Sequence, residues 1–304
     1  MKISGFTFLY NVLKNDYPFI ESIKSLLPLV DEYIILLLES DDGTEEKLIE
    51  NFDKKMKIIK IKKEEIKFPV SFGYYTTMAL RNCAGDFCFY LQADEVLHEK
   101  YIPYIKEALN FFKNRNHVEG FLLKYKHFFG NYNFYHEGYG WYEKEIRIVR
   151  NLPYIFSYRN AKSFRKNING KIKRLKCILL DAYIYHYGWV KEKEKMIEKL
   201  DYFHKIKGEK WDKKIDDPYK DTYGLKIFKG EHPECMRERI RNFNGVNILP
   251  KKPKLKKKLQ FLIGELSERI FKRRFLSSYH YLLLGKYRKF SSFRQFLSLK
   301  NKFP

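Results

Sequence analysis

The chain is short of acid. Against 60 Lys and Arg it sets 37 Asp and Glu, a net charge of +23 over 304 residues. An excess of that size points to an anionic partner: phosphate, nucleic acid or a membrane surface. Cysteine is scarce as well. Cys83, Cys88, Cys177 and Cys235 show no CxxC spacing, so neither a disulfide framework nor a zinc site is implied, and a reducing cytoplasm fits. No apolar run is long enough to cross a bilayer. The opening stretch from Met1 to Leu13 lacks a small-residue cleavage site and is broken by Thr7 and Asn11, so a first core strand is expected and not a signal peptide. There is no GxGxxG and no GxxxxGK[ST], which removes the dinucleotide fingerprint and the P-loop. Any nucleotide phosphates must be neutralised in another way, and a metal held by Asp94 is the economical one. No internal repeat is found.

What the chain has in quantity is apolar and aromatic side chain, 44% and 17% of residues. At this length that makes one large domain with an extension, or two domains. The stretch around which the rest is arranged is Asp86 to Glu95. Phe87 to Leu91 carries no charge and reads as a strand buried on both faces. It runs out on Asp94 and Glu95. In an open α/β sheet ligands bind at the carboxyl ends of strands, and an acid there can hold Mg²⁺ or Mn²⁺ through oxygen. Capping of the next helix is the plainer role for the same acids.

Ahead of this stretch the pattern alternates. Ile3 to Tyr10, Glu32 to Leu38 and Met56 to Ile61 read as strands, with Asn11 just past the first. Helical spacing separates them, opened by Asp16 with Pro18, by Thr44 with Glu45 and Glu46, and by Ser71. The order β-α-β-α-β-α-β is that of a mostly parallel, doubly wound α/β sheet with helices on both faces. Asp41 and Asp42 close the second strand, so acids stand at two strand ends.

After a helix near His98 to Lys113 the pattern changes. Phe121 to Phe129 alternates as a strand, a loop rich in Gly and aromatics fills residues 130–142, and Glu145 to Val149 is a strand with Arg147 interleaved and Arg150 after it. Exposed rings on that loop suit a sugar or a base, and equally a packed surface loop. Ile178 to Tyr185 is a further strand that runs into His186-Tyr187-Gly188-Trp189. A histidine there can be a metal ligand or a structural residue. Residues 251–304 carry 16 basic and two acidic residues, +14 of the total. Leu255, Leu259, Leu262, Leu266 and Ile270 form one helical stripe, with Lys256, Lys257, Arg269, Lys272 and Arg273 off it. That is the layout of a helix lying on anionic lipid, or of a helix packed on the body with a basic outer face. Pro250 and Pro253 mark the boundary, giving a body of 1–250 and a basic helical tail of 251–304.

Ser40-Asp41-Asp42-Gly43-Thr44, Gly85-Asp86 before a strand ending Leu91-Gln92-Ala93-Asp94-Glu95, and His186-Tyr187-Gly188-Trp189 resemble the family 2 glycosyltransferases of bacterial surface-polysaccharide synthesis. The resemblance spans about residues 1–240. It implies the GT-A fold and an inverting transfer from a nucleoside-diphosphate sugar, a UDP-sugar favoured, to a hydroxyl of a glycan or glycolipid. It implies that Asp41 and Asp42 contact the base and ribose of the nucleotide-sugar and that Asp94 and His186 hold Mn²⁺ or Mg²⁺; Asn11, Gln92 and Arg147 are further candidates to bind the nucleotide-sugar, and Arg147 and Arg150 could contact the diphosphate or an anionic acceptor. Gln92 stands where the family usually has the first acid of Asp-x-Asp, which leaves fewer anionic ligands. The base that deprotonates the acceptor should be a carboxylate. Glu143 and Glu145 are the candidates, though Glu145 is equally placed to pair with Arg147 or Arg150. The expected location is the cytoplasm, peripheral on the inner face of the membrane through residues 251–304. Two other classes stay open: a nucleic-acid-binding protein, which would put its cations among exposed aromatics on the body, and a metal-dependent sugar nucleotidyltransferase. No nucleic acid is expected, because over half the charge is in the tail and the strand ends are acidic.

Overall fold

The computed structural model describes residues 1–136, 141–210, 215–220, 222–252, 255–271 and 280–288. The chain opens as expected: β1 (Ile3–Leu9), α1 (Phe19–Leu26), β2 (Glu32–Leu38), α2 (Thr44–Glu50), β3 (Met56–Ile61), α3 (Phe72–Arg81) and β4 (Phe87–Tyr90). These strands run parallel in the order β3-β2-β1-β4. β2 is apolar from Tyr33 to Leu38 because both of its faces are covered there. Ile35 and Leu37 meet Phe19, Ile23 and Leu26 of α1, while Ile34, Leu36 and Leu38 meet Tyr75, Ala79 and Leu80 of α3. Burying each such side chain contributes about 1.5–3 kcal/mol.

Next come β5 (Glu95–Leu97), α4 (Ile102–Phe112), β6 (Gly120–Phe129), β7 (Asn131–His136), β8 (Lys144–Arg150), β9 (Ile155–Tyr158), β10 (Ser163–Ile168) and β11 (Lys171–Trp189). Here the expected parallel pattern gives way. β8 lies between β4 and β6, antiparallel to both; β6 and β11 are parallel; β10 and β9 extend the far edge antiparallel. The cause is connection length. β10 reaches β11 through Asn169-Gly170, both at positive φ (51° and 77°), the paired left-handed residues of a tight hairpin turn. Two residues cannot make the crossover that parallel strands need. The sheet is thus parallel in its first half and mixed in its second.

The chain continues through α5 (Lys193–Ile206), β12 (Lys226–Ile227), α6 (Arg237–Arg241), α7 (Leu255–Phe271) and β13 (Tyr281–Lys286). The tail departs from the expected all-helical extension. β13 pairs parallel with β11, and Tyr287 after it is buried under α4, its hydroxyl donating to Glu107 Oε1 at 2.9 Å. A boundary at residue 250 therefore cuts through the main sheet. α7 itself matches the expected helix. Lys272 and Arg273, the side chains of Lys257 and Arg269, and residues 289–304 lie outside the described residues.

Candidate active site

A cleft of about 250 Å³ opens past the carboxyl ends of β1 and β4. Phe8 and Tyr10 line it from β1 and its loop, Phe72 from α3, and Tyr90, Gln92, Ala93 and Asp94 from β4 and its extension. α5 covers it with Tyr202, Phe203 and Ile206, and Tyr142, Asn160 and Lys162 complete the wall. Phe203 packs edge-on against Phe72 at 5.5 Å, and Val70 N–H donates to Ile206 O at 2.9 Å, so α5 is fastened to α3.

Asn11 sits at one end with φ of 47°, a left-handed conformation that Asn adopts more readily than most residues. Its N–H donates to Ser40 Oγ (2.9 Å), its Oδ1 accepts from Asp41 N–H (3.2 Å) and its Nδ2 donates to the Tyr202 hydroxyl (2.6 Å). Asn11 thus joins the β1 and β2 loops to α5. Asp42 is committed to the loop: Oδ2 accepts from Lys14 N–H at 2.7 Å, and Oδ1 from the N–H (3.0 Å) and hydroxyl of Thr44. Asp41 is exposed, and its charge acts on the Tyr10 and Tyr202 hydroxyls that line the cleft, whose pKa values burial already raises. Of the two adjacent acids, Asp42 braces α2 and Asp41 is left exposed.

At the other end Asp94 Oδ2 meets His186 Nε2 at 3.3 Å. A chain of imidazoles fixes which atom His186 offers. His127 Nε2 lies 2.7 Å from Tyr142 O, and His127 Nδ1 lies 3.0 Å from His186 Nδ1. A carbonyl only accepts, so His127 carries its proton on Nε2. Burial holds His127 well below the usual histidine range, so the ring is neutral and its Nδ1 accepts from His186. His186 then turns Nε2 toward the Asp94 carboxylate. Two electron-rich atoms at that distance require a proton or a cation between them. Although burial alone would raise it, the charges of His186, Lys199 and Lys191 hold Asp94 below the usual carboxylate range. Gly188 is the reason the carboxylate fits: a Cβ there would stand 2.2 Å from Asp94 Oδ2. Among the described residues no group of three or more His, Cys, Asp or Glu side chains is arranged to hold a metal ion.

Glu95, next to Asp94, goes the other way. Its oxygens receive Arg147 Nε and Nη2 at 2.8 and 2.7 Å and the Tyr125 hydroxyl at 2.8 Å, all enclosed. Arg147, expected at the nucleotide-sugar, is fully buried and spends its charge on this pair, because a buried guanidinium must be matched. Glu145 is likewise enclosed and does not line the cleft; burial pushes its carboxyl up to about 7. Glu143 is half-buried beside Tyr142, and its carbonyl accepts from Tyr125 N–H at 2.8 Å. Gln92 lines the cleft and donates from Nε2 to Ala161 O at 3.3 Å.

Sequence reading missed His127, Lys191, Lys199 and Tyr202. Lys191 is buried, donates to Asp16 O, and lies 4.9 Å from the Tyr17 ring centroid; Lys199 donates to Gly188 O and stands over the same ring at 4.9 Å. A signal existed for Lys199 and Tyr202: three apart, they flank the helical stripe of Leu200, Phe203 and Ile206.

No protein-family model and no curated protein matches the chain. Solved structures resemble parts of it. The residue 1–349 portion of S. aureus TarS aligns over 50% of this chain and 47% of its own, at 17% identity and a TM-score of 0.32. The S. aureus TarS crystal structure aligns over 66% of this chain and 38% of its own, at 15% and 0.37. The glucosyl-3-phosphoglycerate synthase of Mycobacterium tuberculosis, solved with Mn²⁺, UDP and phosphoglyceric acid, aligns over 41% and 42%, at 20% and 0.30. These alignments span less than half the length of the solved chains.

Proposed function

We propose that the chain transfers a sugar from a nucleoside-diphosphate sugar, a UDP-sugar first, to a hydroxyl of a glycan or glycolipid, with inversion at the anomeric carbon. The observation that carries this reading is the cleft past the carboxyl ends of two parallel strands, lined by Tyr10 and Tyr202, on whose hydroxyls the Asp41 charge acts, and by Asp94, which meets His186. Its aromatic walls suit a base and ribose, and the second end suits a diphosphate. The Asp94–His186 pair fits Mn²⁺ or Mg²⁺, since an imidazole nitrogen and a carboxylate oxygen converge where Gly188 leaves room. Such a cation, when bound, offsets the charge that develops on the departing diphosphate. Lys191 and Lys199, whose charges act on Asp94, add positive potential on the same side. α5 lies along the cleft with Tyr202, Phe203 and Ile206. Glu143, next to the cleft residue Tyr142, is assigned as the base that takes the acceptor proton.

α7 supports a membrane-bound acceptor. Leu255, Leu259, Leu262, Leu266 and Ile270 are all exposed, and so are Lys256 and Lys258 beside them, while Gly264 and Ser267 are buried. The large apolar residues point outward, the arrangement of a helix lying in an anionic interface. No helix among the described residues is long and apolar enough to cross a membrane.

The test is product analysis. Purified protein with Mn²⁺ and UDP-glucose or UDP-N-acetylglucosamine should release UDP, faster with lipid-linked glycan present, and Glu143→Gln should slow release by about 10²-fold or more. Pyrophosphate formed from a nucleoside triphosphate and a sugar phosphate, with no UDP release, would make the chain a nucleotidyltransferase instead.

A further inference from the structure

The wall of the cleft built by α3 and α5 continues past its rim. Phe72, Phe203 and Ile206 line the cleft, and Phe72 meets Phe8 and Phe203 at 5.5 Å each. Just outside, the segment that leads into α3 runs along the end of α5. Val70 N–H donates to Ile206 O at 2.9 Å, and a Cβ on Gly208 would lie 3.2 Å from Pro69 Cγ and 3.7 Å from the Phe68 ring. Phe68 itself is 69% exposed, and Tyr74, in the first turn of α3, is 45% exposed. One exposed ring needs no explanation, but an apolar surface that runs from solvent into a cleft marks an interaction site.

Lysines surround this rim. Residues 62–69 and 205–210 carry six lysines against three glutamates. Glu209 pairs with Lys207 at 2.8 Å, and Glu65 accepts from Lys62 N–H at 3.0 Å. The ammonium of Lys67 stands 5.3 Å from the Tyr74 ring centroid, and that of Lys207 stands 4.5 Å from the Phe203 centroid. Exposed rings flanked by lysines are what a protein presents to the headgroup layer of an anionic bilayer: the rings enter below the phosphates and the ammonium groups meet them. A glycan could stack on the same rings, but its hydroxyls need polar groups placed beside them. Phe68 and Pro69 carry no polar side-chain atom, and their neighbours are cations, which suit lipid phosphate.

We propose that Phe68 and Tyr74 form a second membrane contact, at the mouth of the cleft, which enters the headgroup layer of an anionic bilayer and opens the cleft toward the lipid surface. α7 tethers the protein, and the rim decides which side faces the membrane. The contact stands on its own observations; only its use, presenting a membrane-borne acceptor to the cleft, rests on the transferase reading.

The test uses full-length Phe68→Trp, with Phe52→Trp as its control. Phe52 is 55% exposed and precedes β3 where Phe68 follows it, so the two lie at opposite ends of that strand. Each variant is mixed with vesicles of phosphatidylglycerol and phosphatidylcholine carrying brominated acyl chains, and with phosphatidylcholine vesicles alone. Fluorescence is read as the difference from wild type. In the anionic vesicles the added indole at position 68 should shift to the blue and lose about half its emission or more, while that at position 52 changes by less than about a tenth. Neither should respond to phosphatidylcholine alone. Phe68→Ser with Tyr74→Ser should lower the fraction that floats with anionic vesicles about threefold or more, with melting temperature and UDP binding unchanged. Quenching at neither position, or at both alike, overturns the proposal. So does a blue shift at position 68 produced by soluble oligosaccharide without lipid, which would make the rim a glycan platform. Quenching at position 68 with no UDP release from any UDP-sugar leaves the membrane contact in place and removes the transferase reading; UDP release onto a soluble glycan with no quenching does the reverse.

Discussion

The two halves of the sheet supply the cleft by different means. In the parallel half, β3-β2-β1-β4, the strands are apolar and the chemistry lies just beyond them, in Asn11, Asp41 and Asp94. In the mixed half the chemistry lies inside buried strands: His127 in β6, Arg147 in β8, His186 and Gly188 in β11. The first half offers loop side chains and the second a rigid wall that orients them. Asp94 and Glu95, adjacent in sequence, show the division. Asp94 meets the wall at His186 and remains part of the cleft, whereas Glu95 meets it at Arg147 and is consumed in joining the halves.

That join is the first place to break the comparison. Arg147→Ala leaves Glu95 charged and enclosed, and should cost about 3–5 kcal/mol in chemical denaturation. Replacing both partners with apolar residues, Glu95→Leu with Arg147→Met, should recover most of the loss. Equal instability of single and double variants would show that the pair does more than match charge. Gly188→Ala changes only the wall. Its Cβ would displace the Asp94 carboxylate, costing about 1–3 kcal/mol and abolishing any metal-dependent nucleotide binding; a crystal structure with Asp94 unmoved would contradict this.

Smaller effects sharpen the contrast. Leu259→Glu with Leu266→Glu, both on the exposed stripe of α7, should leave the melting temperature unchanged and prevent flotation with anionic vesicles; deleting the whole tail would confound the result by removing β13. The smallest effect is that of Glu145. Its folded value, raised to about 7 from 4.5, means the native state holds a proton that the unfolded chain has lost. Its contribution is therefore complete below about pH 4.5 and lost as pH rises through 7. Glu145→Gln should flatten the decline of stability across that window, and an unchanged profile would show that Glu145 is ionised throughout.

The parallel half was legible because its signals are local: apolar strands on both faces, Ser71 as the cap of α3, acids at strand ends. Asp94 and His186, expected together as metal ligands although far apart in sequence, stand 3.3 Å from each other. Arg147 was misplaced because a charged residue in an apolar strand reads the same whether it faces a ligand or a buried carboxylate. His127 was overlooked because its role depends on which strand lies beside β6. The Asn169-Gly170 turn was a readable hairpin signal that went unused, and with it the antiparallel edge carrying Lys162. β13 was hidden because Tyr281 to Leu284 follows a long basic run, and only the open edge of β11 gives it a place.

The most direct test of the account is a thermal-shift titration with UDP, with and without Mn²⁺, on wild type, Asp94→Ala and His186→Ala. The account predicts a rise in wild type, about 2.7 kcal/mol of added stability at a hundredfold excess over Kd, that needs Mn²⁺ and vanishes in both variants. A rise of equal size without Mn²⁺, or one that survives both substitutions, would contradict the claim that the Asp94–His186 corner is where the two halves of the sheet jointly hold the nucleotide.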